Sequence, residues 1–184
     1  MSATALAEHD AQESDLQDDS ATFDIVDGFR VERHMSNEAN LIACQLAHLV
    51  GNLLQHPRGI VSTEIVVRLV PGEAPLRPDV VFISREKIRG LQRRNKDPWE
   101  VVPELVVEVV SPTNRVGEIE EKLERYFAAG VVVVLVVSSR ARRVAVYSST
   151  KSVRIHEGSE VFDLAPALPD MTIALDELYA PLEQ

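Results

Sequence analysis

Two runs of branched aliphatic residues, "LVVEVV" at 105–110 and "VVVVLVV" at 131–137, leave this chain few ways to fold. Runs without polar alternation belong to strands covered on both faces. Between them, "EIEEKLERYFAAG" places Ile119, Leu123, Tyr126 and Phe127 on one helical face and ends at Gly130, a C-terminal cap. A strand, a helix and a strand of these lengths predict a crossover unit with parallel strands and a right-handed connection. Aromatic residues make up only 5% of the chain, so the core must be built from Val, Leu and Ile, a composition that favours sheet.

The flanking segments extend this unit. "FDIVDGFRVER" carries apolar residues on both sides of Asp27-Gly28 and predicts a small hairpin. From Ser36 to about Gln55, Leu41, Leu46, Leu49, Leu53 and Leu54 mark a first long helix, with Ser36 or Asn37 as its cap. "GIVSTEIVVRLV" at 59–70 reads as one strand, "DVVFIS" at 79–84 as the next, and residues 85–100 as a polar connection to the strand at 104–111. Three consecutive strands are most economically joined as an antiparallel meander. After the crossover unit, "VAVYSS" and "SVRIHEG" extend the sheet, and "LPDMTIALDELYAPLEQ" closes the chain with a loop, a short buried segment and a helical turn begun at Asp176. The expected core order is helix, three strands, helix, strand.

Length and charge set further bounds. The 184 residues suit one domain, read as residues 21–184, of α/β (α+β) class with a mixed central sheet flanked by helices. Residues 1–20 contain Glu8, Asp10, Glu13, Asp15, Asp18 and Asp19 with no Lys or Arg, and lack apolar periodicity, so they read as a disordered acidic tail. That tail carries six of the ten net negative charges, and the remainder is close enough to neutral for a nucleic-acid partner. The start shows no secretory signal pattern, and the longest apolar run is far short of the roughly 18–20 residues that span a bilayer. A soluble, cytoplasmic protein with no membrane partner is expected. Lone Cys44 cannot form an internal disulfide and reads as a small core residue.

Within "PELVVEVVSP", Glu108 is the residue that demands a reason. An ionised carboxylate in a two-sided core strand costs several kcal/mol unless it is paired or bound to a metal. Asp79 in "RPDVVF" stands at the mouth of the neighbouring strand, so the two acids are placed to converge. Adjacent carboxylates repel unless a hard cation neutralises them. Mg²⁺ suits such a pair, because it takes one or two carboxylates together with waters and phosphate oxygens. Mn²⁺ is the alternative. Lys122 lies on the same stripe as Ile119, Leu123, Tyr126 and Phe127, so its ammonium is expected at the edge of the cleft, where it would orient water and offset transition-state charge.

Structural roles compete with these. Glu108 may instead be a core acid satisfied by Arg77 or Lys87, Asp79 a strand-opening residue bonded to nearby backbone, and Lys122 a partner of Glu118 on a solvated face. Arg85, Lys87, Arg89, Arg93, Arg94 and Lys96 face only Glu86 in their span, an excess of five positive charges that suits a phosphate backbone, with Arg140, Arg142 and Arg143 adding to it. His34, His48 and His56 lack metal-ligand spacing, and the chain has no Gly-rich nucleotide loop and no Gly-x-Ser-x-Gly elbow.

Taken together, "IVDGFRVE", "LRPDVVFIS", "PELVVEVVSPTNR" and "EKLERYFAAGV" resemble the Uma family of restriction endonucleases, a branch of the PD-(D/E)XK nuclease superfamily, over residues 24–180. The resemblance implies the restriction-endonuclease-like fold and a metal-binding endonuclease, a hydrolase of DNA phosphodiesters. It implies Asp79 and Glu108 as metal ligands, with Lys122 completing the catalytic set. Val110 occupies the superfamily's usual lysine position, which Lys122 of the following helix would replace. Leu135 and Ser138 stand where relatives commonly have Trp and Asp, and Glu38 is a weak candidate for a further acid from the first helix. Double-strand cleavage would call for a homodimer. The alternative is a protein that keeps the fold and binds or regulates nucleic acid without cutting it.

Overall fold

In the computed structural model of the chain, the described residues are 23–26, 29–32, 36–54, 58–91, 97–110 and 116–183. The expected acidic tail therefore lies outside them, as do Asp27-Gly28, His34, His56, Arg93, Arg94 and Lys96. Contacts divide the chain into two units, Met1–His34 and Met35–Gln184. In the first, β1 (Phe23–Val26) pairs antiparallel with β2 (Phe29–Glu32), matching Val26 to Phe29 as a hairpin requires.

The second unit opens with α1 (Asn37–Leu53), whose N-cap is Ser36: its side chain accepts the Ala39 N–H. The buried stripe is Ala39, Ile42, Ala43, Leu46, Val50 and, just past the helix, Leu54. Leu41 and Leu53, expected in that stripe, are exposed. Cys44 is exposed too, correcting the core reading. α1 carries more apolar residues than one face holds, and the small Ala39 and Ala43 determine which side approaches the sheet.

β3 (Gly59–Thr63), β5 (Val80–Ser84) and β7 (Leu105–Val110) form the expected antiparallel meander. The run at 59–70 does not form one strand. At Glu64 the chain takes a left-handed conformation (φ 59°) and leaves the sheet. Beyond it, β4 (Val67–Arg68) pairs parallel with β6 (Trp99–Glu100), and Val67 also bridges Leu76. Val67, Leu76 and Val101 thereby join a second core.

The connection at 85–100 begins with a short helix, α2 (Arg85–Gly90), capped by Ser84. α3 (Val116–Ala129) ends at Gly130 with φ 98°, the conformation expected of a cap. β8 (Val133–Ser138) then pairs parallel with β7 as anticipated. β9 (Arg143–Ser149) and β10 (Ser152–Glu157) add antiparallel strands, giving the order β10-β9-β8-β7-β5-β3. β11 (Val161–Asp163), β12 (Thr172–Ala174) and α4 (Leu175–Tyr179) complete the unit.

Side-chain alternation divides the sheet between two cores. Val80, Phe82, Leu105, Val107 and Val109 pack against α1 and α4. Val81, Ile83, Val106 and Val134 pack against Leu123 and Tyr126 of α3. Together these give a mixed α/β fold with its sheet between helices. Among the described residues no helix is long and apolar enough to cross a membrane.

At Gly59 a Cβ would run into the Ile83 carbonyl and the Phe82 ring. Gly59→Ala should therefore destabilise the fold by about 1–3 kcal/mol, as overpacking typically does. Chemical denaturation would measure it; an unchanged midpoint would show that the β3–β5 edge is looser than its geometry.

Candidate active site

The register carries the two acids to one place. β5 and β7 match Val81 to Val106 and Val80 to Val107, and Asp79 immediately precedes this ladder, bonded to the Val107–Val109 segment that carries Glu108. Glu108 alternates with Val107 and Val109 and so shares the side of Val106, which faces the α3 core. Both acids are buried, at 1% and 3% exposure, where an unpartnered charge would not stand.

Partners come from two elements. The Asp79 N–H donates to the Val107 carbonyl (3.1 Å), and the Val109 N–H donates to Asp79 Oδ2 (2.6 Å). The carboxylate thus extends the ladder at the point where β5 has yet to begin. Glu108 is met by α3: Lys122 Nζ donates to Oε2 at 3.0 Å, and the Tyr126 hydroxyl donates to Oε1 at 2.6 Å. Lys122 keeps 15% side-chain exposure, so its ammonium sits at the rim.

Of the residues in the competing structural roles, Arg77 pairs with Glu64, Lys87 binds Glu104 (3.0 Å) and the Val102 carbonyl (2.7 Å), and Lys122 bonds Glu108. Asp79 does bond nearby backbone, as its structural role required, while standing beside Glu108.

Other residues are placed as follows. Val110 and Ser138 are register partners on the face of Glu108, at the carboxyl ends of the two parallel strands. Leu135 faces the opposite core and is fully buried, so its replacement of Trp concerns packing against α1. Glu38 is exposed in the first turn of α1, whose buried side packs on the sheet face away from Glu108. Among the described residues no group of three or more His, Cys, Asp or Glu is placed to hold a metal, so Glu38 does not join the pair. His48 is exposed beside Asn52.

The described part of the basic span, Arg85, Lys87 and Arg89, lies away from Asp79. α2 follows the end of β5, and antiparallel pairing sets Ser84 beside Glu104, with the Ser84 N–H bonded to Glu104 Oε2 at 2.9 Å. Arg85, Lys87 and Arg89 therefore start at the far end of the sheet from Asp79, about 17 Å away for five residues of strand. The β8–β9 turn, by contrast, follows Ser138 at the site's own end. Tyr179 secures that turn, its hydroxyl lying 3.1 Å from both the Ser138 and Arg143 carbonyls, and burial pushes this hydroxyl's pKa well above its ordinary value. Arg142 pairs with Glu183, while Arg140 is exposed at the tip.

Tyr126 was missed as a site residue. Its place in an apolar stripe gave it a packing role, although a buried tyrosine hydroxyl usually needs a polar partner, and the only acid in β7 lies across from that helix face.

An oxygen-only pair fits a hard cation such as Mg²⁺, which needs one or two carboxylates and completes its shell with water and phosphate.

The described strands and helices form a mixed sheet between helices. It is similar to the "Crystal structure of a putative nuclease belonging to DUF820 from Anabaena variabilis ATCC 29413", with a TM-score of 0.69 and 12% identity, covering 85% of this chain and 88% of that one. Residues 7–176 match the family Uma2, described as "Putative restriction endonuclease", and the chain belongs to that family. No curated protein matches it significantly.

Lys122 and buried Glu108 form an ion pair at 3.0 Å, so removing the ammonium breaks a buried pair from one side. Lys122→Met should cost about 3–5 kcal/mol, the usual result of breaking a buried pair from one side, and adding Glu108→Gln should recover much of it. Urea titration of the single and double variants would measure this; additive losses would mean that the two groups do not interact.

Proposed function

We propose that the protein is a Mg²⁺-dependent endonuclease, with Mn²⁺ as an alternative ion, that hydrolyses DNA phosphodiester bonds. The observation that supports this best is that buried Asp79 bonds the backbone of Val107 and Val109, on either side of buried Glu108, while Lys122 bonds Glu108 itself. Asp79 and Glu108 would hold the cation, which when bound supplies polarisation of the phosphoryl oxygens and a water acidic enough to attack near neutral pH.

The chain's own groups do the rest. Lys122, with three donors and no acceptor, orients the attacking water and offsets charge on the phosphorane-like transition state. Oxygen from water joins phosphorus as the bond to the leaving oxygen breaks, and the leaving oxygen takes up a proton. Valine and leucine beneath Asp79 and Glu108 hold both acids on a rigid sheet rather than a loop. Arg140, at the tip of a turn on the site's end of the sheet, is placed to meet a backbone phosphate. The α2 cations would reach only a more distant part of the same strand. Cutting both strands of a duplex takes two sites, so the working unit is read as a homodimer, acting in the cytoplasm.

One observation favours a second reading. Val110 fills the usual lysine position, and Lys122 is held in an ion pair, which would suit a nuclease-fold protein that binds nucleic acid without cutting it.

Single-turnover assays on duplex, single-stranded and branched DNA and on RNA, with Mg²⁺ or Mn²⁺, separate the two. The nuclease reading expects metal-dependent cleavage of DNA that falls about 100-fold or more in Asp79→Asn, Glu108→Gln and Lys122→Met, the scale of losing one charge-stabilising group. Tight DNA binding with no cleavage under any metal would favour the binding protein.

A further inference from the structure

Tyr126 is one helical turn beyond Lys122, so both side chains leave α3 on the same stripe. Its ring is fully buried in the core formed by Val106, Leu123 and Val134. A phenylalanine would fill that space equally well. What a phenylalanine lacks is the hydroxyl, which reaches Glu108 Oε1 at 2.6 Å, within the range of a charge-assisted bond. Lys122 takes the other oxygen, Oε2. Each oxygen of Glu108 therefore has its own donor from one rigid helix.

The terminal torsion of a glutamate is broad, so a carboxylate held at one oxygen still swings about that contact. Two donors, one to each oxygen, fix its plane. We propose that Tyr126 is a positioning residue for Glu108: it holds the plane of the carboxylate in the orientation in which Glu108 would serve as a ligand of the cation shared with Asp79. This rests on the metal-site reading above. Buried in the core, Tyr126 acts through Glu108 and does not touch substrate. Without its hydroxyl, Glu108 Oε1 would lose the donor that sets its orientation.

The test is Mn²⁺ titration of the full chain by calorimetry, comparing the parent with Tyr126→Phe and with Tyr126→Met, which also fills the space without a donor. Both variants should bind Mn²⁺ about tenfold or more weakly, the usual effect of losing a group that orients a metal ligand. Raising Mn²⁺ about 100-fold should restore the single-turnover rate of Tyr126→Phe, which a merely structural defect would not allow. Parent-like Mn²⁺ affinity in Tyr126→Phe would overturn the positioning role while leaving the metal site intact. A parent that binds no Mn²⁺, and is indifferent to Glu108→Ala, would instead remove the metal reading and this inference with it.

Discussion

Glu108 is a charge inside a sheet, and the rest of the site is arranged to make that tolerable. Burying a carboxylate costs several kcal/mol, which only close, well-aimed partners offset. Here those partners are Lys122 and Tyr126, both from α3, which the chain reaches directly after the strand that carries the acid. Strand, helix and ion pair thus form one local unit, and the parallel β8 fixes where the helix must lie. A donor from a distant loop would leave Glu108 dependent on a mobile contact.

Strand direction decides what else the acid meets. Antiparallel β5 brings its start, and hence Asp79, to Glu108, while taking its end and the cations of α2 to the far edge. Parallel β8 does the reverse, carrying its end and the Arg140 turn to the site. Sites in open α/β sheets gather at the carboxyl ends of parallel strands. In this chain a single parallel pair, β7 and β8, creates such an edge, and the antiparallel neighbour β5 begins beside it with Asp79.

Most of this architecture was legible from patterns that physics leaves little room to read otherwise. The apolar runs at 105–110 and 131–137 required buried strands, Gly130 required a helix end, and Glu108 required a partner. What escaped depended on geometry that residue types do not encode. Glu64 adopts a left-handed conformation with no Gly or Asn to announce it, so the end of β3 and the start of β4 were merged. α1 has more leucines than one face can bury, so Leu41 and Leu53 were placed inside when the alanine side faces the sheet. Tyr126 reads as packing until the acid across from it is located. The position of Arg85, Lys87 and Arg89 follows from strand direction: Asp79 precedes β5 and α2 follows it, so these cations lie at the other end of the strand from the acid.

Whether Asp79 and Glu108 share a cation is tested most directly by a crystal of the protein soaked in Mn²⁺, with the ion located by anomalous scattering. The account predicts one peak between the two carboxylates, with a ligand bond of about 2 Å to an oxygen of each. A peak elsewhere, no peak, or carboxylates more than about 8 Å apart, too far for one ion to bridge, would contradict it.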